Sequence, residues 1–302
     1  MITIIWVTLI FLAIWFSILL TRDFIRHKKD LENSSWLKTL IIGFVVDFFD
    51  VLGIGSFAPQ IALLKFTKQT EDKIIPGTLN VSNTIPALIE AIIFIKIIKV
   101  DPLTLVLMLL SATVGGVFGA GVVSRFSEKK VRIAIGIALL LAAFFMLANR
   151  LGWIQGEGEA TGLTGIKLIV AIVVNCVLGA LNTAGIGLFA PCMTLVFALG
   201  MSPKVAFPIM MGSCAFLMPP ASAKFIKEEA YNRKASFSMA ISGTIAVIIA
   251  AFIVKSLPLD ILRWVVLAVI IITSIIMLRA AFKNDQPKME ESKVIKTGNK
   301  KR

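Results

Sequence analysis

Long apolar runs without charge alternate with short charged stretches over most of the chain. A run of about 20 apolar residues is the length that a helix needs to cross about 30 Å of hydrocarbon. Because only helices and closed barrels span lipid, the pattern predicts an all-α polytopic membrane protein. The candidate spans are Ile2–Leu20, Ile75–Ile95, Leu103–Val123, Val131–Ala148, Ile166–Ala184, Val205–Phe225, Phe237–Val254 and Ile261–Leu278.

Composition agrees with this pattern and excludes an ordinary soluble domain. Hydrophobic residues make up 57% of the chain and the mean hydropathy is +0.90, whereas about half of a soluble domain is apolar. The net charge of +13 comes from Lys and Arg in loops and in the tail 283–302. That distribution is typical of cytoplasmic loops rather than of nucleic-acid binding. The tail is polar and charged, and we expect it to be disordered and cytoplasmic.

One motif occurs twice, at an offset of 132 residues. Residues 50–59 read DVLGIGSFAP and residues 182–191 read NTAGIGLFAP, each inside a long apolar stretch. Further along, Pro76 matches Pro208 at the same offset and Arg132 matches Arg263 at an offset of 131. We therefore pair residues 36–150 with 166–282 as two repeats, after an extra N-terminal helix at 1–21. Gly- and Pro-interrupted apolar segments at corresponding positions of two halves indicate a transporter binding site.

Basic loops fix the orientation of each repeat. If each interrupted segment enters the membrane and returns as a hairpin, every strongly basic loop falls on one side. The two repeats then have opposite orientation, giving an inverted-topology repeat of seven full spans and two re-entrant hairpins. Two short crossings in place of each hairpin preserve the same parity. This reading puts the chain in the cell membrane, with Met1 outside and Arg302 in the cytoplasm.

The interrupted segments supply the features of an anion site. Glycine allows positive φ and exposes backbone N–H groups, proline suits the start of a helix, and helix N-termini carry partial positive charge. The alternative is that these residues only allow close helix packing. The positions concerned are Gly53, Gly55, Ser56 and Pro59 in the first copy and Gly185, Gly187 and Pro191 in the second.

Small polar side chains follow in the next helix of each half, where they could bond the oxygens of an anion without imposing charge. The alternative role is hydrogen bonding between helices. These candidates are Asn80, Ser82 and Thr84 in the first half and Cys192, Ser213 and Cys214 in the second.

Three acidic residues fall inside apolar segments, where ionisable groups indicate function by default. Asp47 and Asp50 share one helix face at the end of the first arm, and Glu90 lies deep in its own helix. Asp50 corresponds to Asn182, so the second copy lacks this charge. We expect the three carboxyl groups to couple transport to protons; the alternative is permanent pairing with a Lys or Arg.

Enzyme chemistry has little support in the sequence. His27 is the only histidine and lies in a basic loop, and the three cysteines have no CxxC spacing. No GxSxG, HExxH or Walker pattern is present. We therefore expect no metal, no cofactor and no nucleic-acid partner; the expected partners are a small anionic substrate, membrane lipids and protons. A membrane sulfur relay through Cys192 and Cys214 would lack a base or a metal ligand.

The stretch Gly43–Pro59, the residues Pro76-Gly77-Thr78 and the second copy at Asn182–Pro191 resemble the sulfite exporter TauE/SafE-like permeases, also called the toluenesulfonate uptake permease family. The resemblance covers about residues 40–282 and implies a two-repeat transporter of sulfite, sulfonates and related organic anions. The family's usual motif has Gly-Ile-Gly-Gly-Gly before a proline. Here Ser56-Phe57 and Leu188-Phe189 replace the last two glycines. A passive anion channel, which needs no coupling carboxylates, is the second function.

The orientation predicts a labelling pattern. An impermeant thiol reagent applied outside intact cells should modify a cysteine placed at Gly158 and spare one placed at Ser127, because the basic loop around Ser127 is predicted to be cytoplasmic. Labelling of permeabilised cells serves as the control for reactivity at both positions. The reverse pattern in intact cells would refute this orientation.

Overall fold

The computed structural model describes residues 2–53, 55–118, 158–183, 185–256 and 259–283, with isolated positions between 129 and 151. Ten α-helices make up nearly all of this described part. They are α1 (Ile2–Arg26), α2 (Trp36–Asp50), α3 (Phe57–Phe66), α4 (Ile75–Ile97), α5 (Pro102–Phe118), α6 (Gly165–Thr183), α7 (Phe189–Ala198), α8 (Pro203–Lys227), α9 (Arg233–Ser256) and α10 (Leu259–Lys283). A 3-10 turn, Asp72–Ile74, precedes α4.

Five of the described helices are long and apolar enough to cross a membrane: α1, α4, α6, α8 and α9 as far as Ile253. This confirms the prediction of an all-α polytopic membrane protein. Each of these helices overlaps one of the apolar runs identified in the sequence. The predicted span Val131–Ala148 and the tail after Lys283 lie outside the described residues. The inverted repeat, its boundaries and the count of seven spans stay predictions.

Both interrupted segments break where the repeated motif predicts. Helix α2 ends at Asp50 and α3 begins at Phe57, while α6 ends at Thr183 and α7 begins at Phe189. The second arms are 10 residues each, too short to cross a bilayer alone. Pro59 and Pro191 are the third residues of these arms. A proline there removes an N–H that has no partner inside the helix, so it costs the helix nothing.

Each first arm packs against a helix of the other half. Helix α2 lies against α9, α6 lies against α5, and α4 and α8 pack together. Glycines make the close approaches possible. A Cβ on Gly43 would lie 2.6 Å from the Cα of Met239, and one on Gly179 would lie 2.1 Å from the carbonyl oxygen of Ala112. Small residues at such contacts let helix backbones approach each other in membranes. Gly43 and Gly179 therefore serve close helix packing.

The start of α5 is fixed by a charged cap. The Oδ1 atom of Asp101 accepts hydrogen bonds from the backbone N–H and the hydroxyl of Thr104, both at 2.8 Å. These bonds hold the pKa of Asp101 below its usual value of 3.8. The backbone N–H of Asp101 also donates to the carbonyl of Thr161 at 2.8 Å. Helix α5 is thereby joined to the segment that precedes α6.

This cap predicts a pH-dependent loss of stability. Replacing Asp101 by alanine should cost about 1 kcal/mol at neutral pH, because N-cap substitutions usually do. A lowered folded pKa contributes stability that is present above 3.8 and lost as the pH falls through the folded value. The difference between wild type and Asp101→Ala should therefore shrink below pH 3.8 in thermal unfolding of the detergent-solubilised protein. Asp30→Ala, at an exposed position, is the control. A difference that stays constant with pH would contradict a charged cap.

Candidate functional site

The two breaks share one backbone feature and differ in another. Gly53 has φ +92° and the matching Gly185 has φ +90°, a region that only glycine enters easily. Gly55 also has positive φ, at +86°, but its counterpart Gly187 does not. Glycine allows positive φ at all four positions, and Gly53, Gly55 and Gly185 adopt it. The turn into α7 is therefore made with one left-handed residue fewer than the turn into α3.

In both halves a polar residue near the end of the first arm lies beside the start of the second arm. The carboxyl group of Asp50 lies within hydrogen-bonding reach of the backbone N–H groups of Gly55 and Ser56 and of the Ser56 hydroxyl. The matching Asn182 accepts through Oδ1 from the backbone N–H of Leu188, the counterpart of Ser56, at 3.2 Å. Asp50 and Asn182 thus occupy matching places with different chemistry: a carboxyl group lies beside the α3 N-terminus and a neutral amide beside that of α7.

A small cavity lies between these two capped N-termini. Its volume is about 20 Å³, which is room for one water molecule. Residues from both interrupted segments and from α4 and α8 line it. They are Asp50, Gly55, Ser56, Phe57, Asn83, Ala87, Asn182, Gly187, Leu188, Phe189, Cys214 and Met218.

The structure brings five of the predicted site residues to this cavity: Asp50, Gly55, Ser56, Gly187 and Cys214. The two polar wall residues that were not among the predicted site residues are Asn83 and Asn182. The repeat carried a signal for Asn182, because it occupies the position of Asp50. The amide nitrogen of Asn182 and the amide oxygen of Asn83 are buried and have no hydrogen-bond partner. A residue with a free donor and a residue with a free acceptor therefore line the same small space.

The other predicted site residues lie outside the cavity wall. Gly53 and Gly185 shape the breaks, Pro59 and Pro191 lie in the second arms, and Asp47, Asn80, Ser82, Thr84, Glu90, Cys192 and Ser213 lie at helix interfaces.

Several of these polar residues make the interhelical hydrogen bonds that were the alternative to substrate binding. The hydroxyl of Thr84 lies 2.8 Å from that of Ser222, which joins α4 to α8. The hydroxyl of Ser213 accepts from the amide of Asn175 at 3.0 Å. Asn80 donates to the carbonyl of Pro76 at 2.8 Å, within its own helix. Thr84 and Ser213 thus bond between helices.

Three carboxyl groups are buried near the cavity without cationic partners. Asp47 and Glu90 are fully buried, and Asp50 is 5% exposed. Both oxygens of Asp47, both of Glu90 and Oδ1 of Asp50 lack hydrogen-bond partners. Within the described residues, no Lys, Arg or His forms an ion pair with any of the three. The carboxyl group of Asp47 lies against Gly243 of α9, where a Cβ would be 1.7 Å from Oδ2.

Metal binding does not account for this cluster. In the described part of the chain, no three His, Cys, Asp or Glu side chains are placed so that they could hold a metal ion. Cys176, Cys192 and Cys214 are all free thiols. An isolated buried carboxylate is very costly, and within the described residues no cation offsets this cost.

These features define a polytopic helical membrane protein with a polar cavity between two interrupted helices. The family model described as sulfite exporter TauE/SafE matches residues 1–146 and 167–299. The chain therefore belongs to the sulfite exporter TauE/SafE family, which makes it a membrane transporter of sulfur-containing anions. The members of this family are transporters, which supports the expectation that the chain is not an enzyme. No curated protein and no solved structure matches the chain.

The difference between Gly55 and Gly187 gives a controlled test of the break geometry. A Cβ on either residue would make an ordinary 3.8 Å contact with a phenylalanine Cβ, so the available space is the same. Only Gly55 has positive φ. Gly55→Ala should therefore lower the free energy of unfolding by about 1–3 kcal/mol, and Gly187→Ala should have little effect. Equal losses in thermal unfolding would contradict this backbone assignment.

Proposed function

We propose that this protein is a secondary transporter that binds a small sulfur oxyanion, such as sulfite or a sulfonate, in the cavity between its two interrupted segments, and couples its movement to protons. The observation that carries the proposal is the unpartnered amide donor of Asn182 beside the N-terminus of α7. Helix N-termini bind anions through free N–H groups and the helix dipole. The buried amide adds a donor that is otherwise unsatisfied.

The two N-termini are not equivalent as anion sites. The α3 N-terminus already has the carboxyl group of Asp50 within hydrogen-bonding reach. An ionised Asp50 would repel an arriving anion, and a protonated Asp50 would not. The α7 N-terminus has only the neutral Asn182 as its cap. The anion is therefore expected to bind on the α7 side, with Asp50 facing it from the other segment.

This arrangement links proton binding to anion binding. Entry of an anion raises the cost of a nearby carboxylate, so proton uptake by the cluster of Asp47, Asp50 and Glu90 accompanies it. The two charges offset each other, and the pair crosses the apolar protein at a lower cost than the anion alone. The cavity of about 20 Å³ is smaller than a sulfur oxyanion, so binding requires the two segments to move apart.

A passive anion channel is the alternative function. A channel has no use for three buried carboxyl groups without cationic partners, and these groups favour the coupled transporter. Flux that responds to an imposed proton gradient separates the two functions. A sulfur relay through Cys192 and Cys214 needs their thiols, so anion flux that persists after both are replaced by alanine would reject it.

The anion site is tested by removing one donor. Asn182→Ala should weaken binding of sulfite or thiosulfate to the purified protein by about tenfold, the equivalent of one hydrogen bond to a charged group. Thr113→Ala is the matched control, because that hydroxyl bonds only the carbonyl of Leu109 in its own helix. An unchanged affinity in a normally folded Asn182→Ala variant would show that the anion does not bind in this cavity.

Proton coupling is tested at Asp50. Asp50→Asn copies the second half and keeps the capping geometry, so it should leave anion binding intact while removing the response of uptake to a pH gradient in proteoliposomes. Asp47→Asn and Glu90→Gln should weaken that response. Gradient-driven uptake at wild-type rates in Asp50→Asn and Asp47→Asn alike would show that these carboxyl groups are structural.

A further inference from the structure

The two sides of the cavity differ in polarity although the motif is repeated on both. We propose that the anion travels between the cavity and one membrane face along a column of buried polar side chains between α3, α4 and α9, and that the equivalent route beside α7 and α8 is closed in this conformation. This proposal rests on the proposed function and adds the route by which the anion reaches the cavity. We call the residues Thr78, Ser82, Asn83 and Gln60 the polar column.

The column starts at the cavity wall. Asn83 lines the cavity, and its amide donates to the amide oxygen of Gln60. The amide of Gln60 then donates to the hydroxyl of Ser82 at 3.2 Å. Thr78 lies one helical turn before Ser82 on α4, so their side chains share a face. All four residues are at most 2% exposed, yet each presents hydrogen-bonding groups to its neighbours.

The column ends at a large cavity among the loops. The hydroxyl of Thr78 accepts from the backbone N–H of Asn232 at 3.0 Å. Asn232 is part of the wall of a cavity of about 510 Å³, which is also lined by Lys68, Gln69 and Thr70 of the loop between α3 and α4. Lys68 is exposed. Hydrogen-bonded side chains therefore extend from the candidate anion site to Ser82, and Thr78, one helical turn away, bonds a residue of the loop cavity.

The equivalent positions of the second half are occupied by sulfur and apolar side chains. At the offset of 132 residues, Gln60, Thr78, Ser82 and Asn83 correspond to Cys192, Met210, Cys214 and Ala215. These four residues are at most 3% exposed. Thiols and thioethers are poor hydrogen-bond partners. An anion that lost its water on this route would gain little in return.

Backbone covers the far end of this second route. The segment before α6 lies across the loop between α7 and α8: Ala160 and Met201 form a bridge, and the N–H of Ser202 donates to the carbonyl of Ala160 at 3.0 Å. A Cβ on Gly158 would lie 2.2 Å from the backbone of Gly200. Met201, the counterpart of Gln69, is fully buried. The first half has the 510 Å³ cavity at the corresponding place.

Access to the cavity should therefore be one-sided. On the polar side, the amide of Gln60 bonds both Asn83 and Ser82, and a rotation of this amide would open the column. On the other side, Met193, Met210 and Cys192 are packed in the core, and opening requires the helices themselves to move. A conformation of this kind faces the side that carries Lys68.

Cysteine accessibility tests the route directly. In a background with Cys176, Cys192 and Cys214 replaced by alanine, Thr78→Cys and the matched Met210→Cys are exposed to a small anionic thiol reagent in inside-out and right-side-out vesicles. Lys68→Cys reports which face carries the loop cavity. Thr78→Cys should react at least about tenfold faster from that face than from the other, and Met210→Cys should react slowly from both.

Two outcomes of the labelling overturn the proposal. One is a reaction of Met210→Cys as fast as that of Thr78→Cys. The other is a reaction of Thr78→Cys from the face opposite to Lys68→Cys. Monodisperse elution of each variant in detergent confirms that it is folded, and the background protein reports residual reactivity.

Flux measurements then distinguish a failure of this route from a failure of the proposed function. Gln60→Leu interrupts the column with a side chain of similar size, and Ser82→Ala removes one hydroxyl. Sulfite flux should fall at least about tenfold in Gln60→Leu and less in Ser82→Ala, with binding to the purified protein unchanged and Thr113→Ala as the control. Wild-type flux in Gln60→Leu would overturn the route and leave the transporter intact. If the native protein binds and moves no sulfur oxyanion, the proposed function fails, whatever the labelling shows.

Discussion

The capping of each broken helix by the arm before it is the interaction on which the rest of the site depends. A helix that begins in an apolar environment leaves backbone N–H groups without partners, and each such group is expensive there. Asp50 and Asn182 meet this demand from the ends of α2 and α6. A carboxyl group and an amide thereby line one small cavity.

Because the residues at the two breaks differ, the site has a carboxyl group on the α3 side and a neutral amide on the α7 side. A second asparagine at position 50 would satisfy α3 equally well as a cap, so the carboxyl group is not required by the backbone alone. Its neighbours Asp47 and Glu90 are buried without cations in the described part of the chain. Stability alone does not account for this cluster, because apolar residues would pack there at a lower free-energy cost. The polar column on one side of the cavity adds a second asymmetry to a repeated framework.

Much of the fold could be predicted from the sequence, because lipid imposes strong rules. Apolar runs located the spanning helices, and the Gly-Ile-Gly and Phe-Ala-Pro elements located both breaks to within a few residues. The site was predicted less completely. Asn83 and Asn182 line the cavity, whereas Asn80 and Thr84 turn toward helical carbonyls and Ser222. Neighbouring positions on one helix point in different directions, and no spacing rule decides which polar residue meets a cavity and which one joins two helices.

Locating a bound anion tests the central claim most directly. Selenite has the charge and shape of sulfite and scatters X-rays anomalously, so its position can be determined in crystals of the protein. The account predicts a selenium peak between Ser56, Asn83 and Asn182, with the two interrupted segments further apart than in the structure described here. A peak confined to the loop cavity beside Lys68, or to any place outside the two interrupted segments, would contradict it.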